Sequence, residues 1–124
     1  MDIHGRVERW ALDEAALPGK LVQEMIEQLY RENRFFLGAL HVAGKRVGPF
    51  GLSMPTLAVV NMVDEVAPLA SVKPVVDAMP TKDTRIIEYP GETGVCLQHL
   101  GILVGRQARG EVWPEIISWI RIHS

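Results

Sequence analysis

The chain has 124 residues, of which 48% are hydrophobic and 23% charged, a balance typical of one soluble globular domain rather than of a disordered or fibrous chain. The formal net charge is −2 and the basic residues are scattered, which argues against a nucleic-acid partner. One cysteine excludes an intrachain disulfide, and the N-terminus lacks the apolar segment of a signal peptide, so we expect a cytoplasmic protein. Residues 54–63 form the longest apolar stretch, far shorter than the roughly 20 residues of a membrane-spanning helix.

The first predicted elements are a helix and a hairpin. Residues 21–30 alternate between apolar and polar faces at helical period, which predicts an amphipathic helix with the apolar stripe Leu21, Val22, Met25, Ile26, Leu29 and Tyr30. Two short β-prone pieces surround residues 43–45. They predict a small hairpin or an irregular excursion.

A strand, a helix and a second strand follow. Residues 56–63 are apolar at nearly every position, as in a parallel strand covered on both faces. Residues 71–79 can form a short helix with Ser71 near its N-cap and Pro74 in its first turn, and Thr84–Tyr89 is a second predicted strand. Because a crossover of this kind is right-handed and joins parallel strands, the unit is a βαβ motif.

The last predicted helix lies in the tail EVWPEIISWIRIH and should cover the sheet. Its predicted apolar face consists of Trp113, Ile116, Ile117 and Ile120. Two parallel strands alone do not make an independently stable sheet, because both outer edges remain unpaired. We therefore expect the chain to be part of a larger structure or to associate through its open sheet edge.

Two residues with acid–base side chains follow the ends of the predicted strands, Asp64 after the first and His99 after the second. In open parallel sheets, ligands bind outside the carboxyl ends of the strands, so we expect Asp64 and His99 to share one site. A carboxylate beside an imidazole is the base half of a nucleophilic triad, in which the carboxylate orients the ring. The alternative is that Asp64 only closes a turn and that His99 only caps the next segment.

The nucleophile of such a triad is not evident. Cys96 lies three positions before His99 but not on the sharp strand-to-helix turn of an activated thiol, so a catalytic Cys96 is only an alternative. Ser53 would complete a Ser, Asp, His order, but it precedes the strand that Asp64 follows and lies roughly 30 Å away along an extended chain. The sequence contains no metal-binding or nucleotide-binding motif, and we expect neither a metal nor a cofactor.

Four segments in order resemble the C-terminal portion of polyhydroxyalkanoate synthases and their relatives with the α/β-hydrolase fold. They are RWALDEAALPG, LYRENRFFLGALHVAGKRV, MPTLAVVNMVDEVAP and HLGILVGRQARGEVWPEIISWI, and they run from about Trp10 to Ile120. The short motifs D-x-x-x-P and H-x-G are weak individually. The order of the four segments carries the resemblance.

The resemblance implies an α/β fold class: a partial α/β-hydrolase fold in which the C-terminal βαβ unit of a parallel sheet has flanking helices and the remnant of a cap region. Residues 1–50 would be a cap-like helix and hairpin, and residues 51–124 the C-terminal part of the hydrolase core. Members of that family polymerise hydroxyacyl groups from coenzyme A thioesters through a cysteine on a G-x-C-x-G elbow. Asp64 matches the family's aspartate and His99 its histidine, whereas the elbow would lie upstream of Met1.

The resemblance therefore predicts that the chain supplies Asp64 and His99 to a Cys-His-Asp triad and is inactive alone. The implied partners are a hydroxyacyl-CoA thioester or polyester substrate and either the missing N-terminal half of the hydrolase core or a second copy at the open sheet edge. Two alternatives stay open, a non-catalytic accessory module and the C-terminal part of a serine esterase or polymer depolymerase. The chain departs from the family in two features, Gln98 in place of the usual glycine before the histidine and the longer loop PGETGVCLQ.

Overall fold

A computed structural model describes residues 16–93 and 98–124 of the chain, together with Gly5 and Arg9. The described part is a mixed α/β structure that contains a parallel strand pair, an antiparallel hairpin and helices. Cys96 and the first part of the proposed cap region, residues 1–4, 6–8 and 10–15, lie outside the described residues. In the part that the structure describes, no helix is long and apolar enough to cross a bilayer.

The predicted amphipathic helix is present and has two parts, α1 (Gly19–Glu24) and a π-helical continuation (Met25–Arg31). Its apolar stripe does not contribute to a core, since none of the residues in these two described segments is buried. Tyr30 is 80% exposed, and the other exposed members of the stripe are Leu21, Val22, Ile26 and Leu29. The helix thus presents apolar surface that the described part of the chain does not cover.

The predicted hairpin is confirmed. Strands β1 (Leu40–Val42) and β2 (Lys45–Val47) pair antiparallel, with Val42 opposite Lys45. The two connecting residues both have positive φ, 50° at Ala43 and 76° at Gly44. This is the backbone of a type I′ turn, whose twist matches that of the flanking strands.

The predicted βαβ unit is also confirmed. Strands β3 (Thr56–Asn61) and β4 (Thr84–Tyr89) are parallel and in register from their first residues to their last, and helix α2 (Leu69–Asp77) connects them. Strand β3 ends two residues earlier than the apolar run predicts, because Met62 and Val63 are in the turn that follows and are exposed.

Helix α2 corrects the prediction for its N-terminus. It begins after Pro68, and Ser71 lies inside its first turn, where its Oγ donates to the Pro68 carbonyl oxygen at 2.8 Å. Pro74 is consequently in the helix interior and not in the first turn. A proline at that position has no N–H to donate to the preceding turn, which weakens the helix locally.

The chain ends in a helical stretch that begins at residue 106. A separate short helix, α3 (Gly101–Val104), precedes this stretch. The π-helical segment of the stretch (Ala108–Val112) continues directly into the final helix, α4 (Trp113–Ile122).

The core lies between β4 and this C-terminal stretch. Its buried cluster consists of Ile87, Tyr89, Ala108 and Val112, against which Leu57, Val59, Ile102, Trp113 and Ile116 pack. The Trp113 Nε1–H donates to the Ile102 carbonyl oxygen at 2.8 Å, which satisfies its polar atom. Ile117 and Ile120 are 42% and 51% exposed, so the prediction that they share the buried face of α4 is wrong. Only the first part of α4 covers the sheet.

The first N–H groups of the C-terminal helical stretch donate to a carboxylate from the loop after β4. Glu92 accepts hydrogen bonds from the Ala108 N–H at 2.9 Å and from the Tyr89 hydroxyl, and the N–H groups of Arg106 and Gln107 also point at it. The first N–H groups of a helix have no partner within the helix, and a negative charge there is favourable to the helix dipole. Glu92 therefore joins the end of β4 to the start of the helix.

We expect Gly105→Ala to lower the free energy of unfolding by about 1–3 kcal/mol, the usual cost of overpacking. A Cβ at Gly105 would overlap the carboxylate of Glu92, which is held by its own hydrogen bonds. Gly110→Ala is the matched control, because a Cβ there meets nothing within 4 Å and the change is helix-favouring by up to about 1 kcal/mol. Urea denaturation measured by circular dichroism compares the two variants, and equal effects would contradict the close approach of Gly105 to Glu92.

Candidate active site

Asp64 and His99 meet at the carboxyl ends of β3 and β4. Asp64 lies in the turn after β3, where its N–H donates to the Asn61 carbonyl oxygen at 3.1 Å. His99 is the middle residue of a short 3-10 turn (Gln98–Leu100) that follows the loop after β4. Its Nδ1 is 2.7 Å from Asp64 Oδ2. The structure thus brings together the two residues that the sequence places after successive strands, and their catalytic roles remain predictions.

The Asp64 carboxylate is buried, with 6% of its side chain exposed. Burial raises the pKa of this carboxyl, but hydrogen bonds from His99 and from the N–H groups of Val66 and Ala67 outweigh it and hold the pKa below its ordinary value of 3.8. The bond from Val66 N–H to Oδ1 is 2.8 Å long. Asp64 is therefore ionised at neutral pH and serves only as a hydrogen-bond acceptor.

The charge on Asp64 determines the tautomer of His99. Because an ionised carboxylate only accepts, the proton between Asp64 and His99 belongs to the ring nitrogen Nδ1. The other ring nitrogen of the neutral imidazole, Nε2, then carries a lone pair. Since 47% of the His99 side chain is exposed, a reactant can reach the ring. A carboxylate hydrogen-bonded to Nδ1 of an imidazole is the arrangement that the base half of a nucleophilic triad requires.

The structure also bears on the two non-catalytic alternatives. Asp64 does close a turn, through Oδ1 and the Val66 N–H, but its other oxygen contacts His99, so the two roles coexist. His99 does not cap the following helix α3, because Leu100 is at the N-cap and no side-chain hydrogen bond caps that end. Turn closure and capping therefore do not explain why the two side chains meet.

The site contains three polar residues that the sequence reasoning did not connect with it. Asn61, at the end of β3, is 6% exposed and hydrogen-bonds Gln98, which in turn hydrogen-bonds Glu92. For Asn61 and Gln98, a feature of the sequence could have indicated a role at the site. Asn61 is the polar end of an apolar strand, and Gln98 is one of the two features in which the sequence was expected to depart from the resembled family.

The other candidate residues lie elsewhere. Ser53 is exposed and precedes β3, at the end of the strand opposite to Asp64. Cys96 lies outside the described residues. His41 is exposed beside the Ala39 carbonyl oxygen, and His123 contacts Asp83. Among residues 16–93 and 98–124, no group of three His, Cys, Asp or Glu side chains could hold a metal ion.

We expect the free energy of unfolding to decrease as the pH falls below about 4.5. Asp64 and Glu92 both have folded-state pKa values below their ordinary values of 3.8 and 4.5, so the stability they add is present above those values and is lost as acid protonates the folded state. Asp64→Asn should make this dependence shallower. Urea denaturation at several acidic pH values measures it, and identical slopes for the variant and the parent chain would contradict the assignment.

Comparison with known proteins gives several polymerase subunits. The chain is 32% identical over 114 residues to the poly(3-hydroxyalkanoate) polymerase subunit PhaC of Haloferax mediterranei. The matched residues make up 92% of this chain and 22% of that protein. The chain is 30% identical over 115 residues to the PhaC subunit of Haloarcula marismortui, covering 93% and 23%. It is 25% identical over 115 residues to that of Allochromatium vinosum, covering 93% and 31%.

No family model matches the chain, and neither does any solved structure. The chain spans between a fifth and a third of the length of these polymerase subunits, from 22% to 32%. The resemblance seen in the sequence is confirmed: nearly the whole chain is similar to one segment of poly(3-hydroxyalkanoate) polymerase subunits, as expected of a C-terminal synthase-like fragment.

Proposed function

We propose that the chain is the C-terminal part of a polyhydroxyalkanoate synthase-like acyltransferase with the α/β-hydrolase fold, in which Asp64 and His99 act as two members of a Cys-His-Asp triad. The observation that carries this proposal is the 2.7 Å contact between His99 Nδ1 and Asp64 Oδ2 at the ends of two parallel strands. The similarity to PhaC subunits supports the substrate class, a hydroxyacyl-CoA thioester.

In the first half of the proposed reaction, His99 acts as a general base. Its Nε2 takes the proton from a cysteine thiol, and the thiolate sulfur attacks the carbonyl carbon of the hydroxyacyl thioester. The bond between that carbon and the sulfur of coenzyme A then breaks. Coenzyme A leaves as a thiolate and takes up a proton from the imidazolium. Asp64 stays ionised and stabilises the charged ring.

In the second half, the acyl group moves from the cysteine to a hydroxyl group. His99 Nε2 takes the proton of that hydroxyl, and its oxygen attacks the acyl carbon. An ester bond forms, the carbon–sulfur bond to the enzyme breaks, and the cysteine sulfur recovers the proton. The same base thus serves both transfers, and the ester product is longer by one hydroxyacyl unit.

The nucleophile in this proposal comes from a segment other than the described one. Ser53 is at the opposite end of β3 from Asp64, and within the described ranges no serine is hydrogen-bonded to the His99 ring. The matched segment makes up only 22–32% of the relatives, so most of a synthase core is contributed by other residues. The chain by itself would then be inactive.

Two surfaces fit the rest of a synthase core as their partner. Among the described residues, β3 and β4 pair only with each other, so their outer edges offer unpaired N–H and C=O groups to a further strand. The second surface is the exposed apolar stripe of the first helix, with Leu21 and Leu29 facing a groove beside the hairpin residues Leu40 and Val42. We propose that this region is the remnant of a cap.

A functional test reconstitutes the proposed site from two polypeptides. The PhaC subunit of Haloferax mediterranei is expressed without the segment that this chain matches, and the chain is added to it. Release of free coenzyme A from a hydroxyacyl-CoA is measured. We expect turnover from the mixture and none from either polypeptide alone.

In that mixture, Asp64→Asn should lower kcat by about 10⁴-fold, because the amide holds the wrong tautomer of the ring. His99→Gln should lower it at least as much. His41→Gln and Cys96→Ser are the controls and should leave turnover unchanged.

Two other outcomes would overturn the proposal. Turnover by the chain alone that Cys96→Ser abolishes would place the nucleophile in this chain. A stable complex without turnover, in which the two polypeptides bind but release no coenzyme A, would favour the accessory module.

A further inference from the structure

The His99 ring is only partly enclosed by the residues around it. Nearly half of the His99 side chain is exposed, at 47%, and the residue lies in a short turn after a loop. The two partners are 35 positions apart in the chain and follow different strands. A catalytic pair needs its geometry held to about 0.5 Å, so something other than burial of the ring must set the distance between the two loops.

The side chain of Asn61 joins these loops. Its Nδ2 donates to the main-chain carbonyl oxygen of Gln98 at 2.6 Å, directly before His99. Its Oδ1 accepts from the N–H of Val63 at 3.0 Å, directly before Asp64. Asn61 is 6% exposed and belongs to the end of β3, so a rigid strand end contacts the backbone beside each member of the pair.

The side chain of Gln98 makes the second connection. Its Oε1 accepts from the Glu92 N–H at 3.1 Å and from Asn61 Nδ2 at 3.2 Å, and its Nε2 donates to the Glu92 carbonyl oxygen at 2.8 Å. The amide thus uses both of its polar atoms on the backbone of one residue. Glu92 is itself anchored to Tyr89 and to the start of the C-terminal helical stretch.

Gly91 shows how closely this network is packed. A Cβ at this position would lie 2.8 Å from Gln98 Oε1, 2.8 Å from Val63 Cγ2 and 3.1 Å from Asn61 Oδ1. Gly91 also has a φ of 93°, a conformation that favours glycine. The two amides and the turn after β3 therefore meet over a backbone that leaves no room for a side chain.

We propose that Asn61 and Gln98 are positioning residues for the His99–Asp64 pair, holding the backbone beside His99 at a fixed distance from the turn that carries Asp64. A role of these two residues in acyl transfer rests on the proposed function, whereas their effect on the orientation of the His99 ring does not. Neither residue touches the reacting atoms, and both act through His99.

The test reads the tautomer of the His99 ring without any turnover. Long-range 1H–15N NMR spectra of the full chain are recorded at alkaline pH, where imidazoles are neutral, for the parent chain, Gln98→Ala and Asn61→Ala. Gln23→Ala, on the exposed face of α1, is the matched control. His123 is the internal reference, because its contacts with Asp83 and the Trp119 carbonyl oxygen do not involve the network.

We expect the parent chain and Gln23→Ala to show His99 protonated at Nδ1. Both network variants should lose this signature while His123 keeps its own. An unchanged His99 signature in the two variants would overturn the proposal.

If the His123 signals also move in Gln98→Ala, the variant Gln98→Glu is the second test, because it keeps the side-chain length and the acceptor oxygen but not the Nε2 donors. Loss of the His99 signature in Gln98→Glu supports the positioning role, and its retention refutes it.

Failure of this proposal and failure of the proposed function are separable. A chain that shows the Nδ1 signature and loses it in the variants, but that gives no turnover with the truncated polymerase, would support the positioning role and reject the acyltransferase. Turnover that is unaffected by Gln98→Ala, together with an unchanged His99 signature, would support the acyltransferase and reject the positioning role.

Discussion

The parallel, in-register pairing of β3 with β4 places their last residues, Asn61 and Tyr89, side by side. Every polar feature of the candidate site starts from this edge of the sheet. The turn after Asn61 carries Asp64, and the loop after Tyr89 carries Glu92 and leads to His99. Had the strands been antiparallel, these two loops would have emerged at opposite ends of the sheet, and the carboxylate and the imidazole could not meet.

Glu92 links this edge to the rest of the fold. Its carboxylate accepts the hydroxyl hydrogen of the fully buried Tyr89 and the first N–H groups of the C-terminal helical stretch. Its backbone, in turn, is bonded twice by the side chain of Gln98. The helix that covers the core and the turn that carries His99 are therefore fixed to the same residue. Packing and the geometry of the site depend on one another in this molecule.

The features that could be predicted from the sequence are those set by local pattern and by topology. The apolar run before Asp64 and the β-branched run ending at Tyr89 identify the two strands, and the crossover between them implies parallel pairing. The rule that sites lie at the carboxyl ends of parallel strands then selects Asp64 and His99. The coarse α/β architecture and the meeting of these two side chains follow from this reasoning.

The features that escaped prediction depend on contacts between distant residues. Asn61 and Gln98 are 37 positions apart, and no periodicity links an amide at a strand end to an amide in a loop. The exposure of Ile117 and Ile120 has a different cause, because the size of a buried face depends on how much sheet there is to cover. The two strands β3 and β4 are in contact only with the first part of α4, through Trp113 and Ile116, so the later residues of the helix stay exposed. The predicted start of α2 was wrong because serine is a common N-cap residue, whereas Ser71 lies inside the first turn and its Oγ donates to the Pro68 carbonyl oxygen.

We propose that Asp64 and His99 activate a nucleophile carried by another segment of a synthase core. An atomic structure of the chain bound to the truncated polymerase subunit would show whether these residues meet that nucleophile. We expect a cysteine sulfur of that subunit within hydrogen-bond reach of His99 Nε2, about 2.6–3.2 Å or slightly longer in the absence of substrate. A bound complex in which His99 faces away from every nucleophile of the subunit would contradict it.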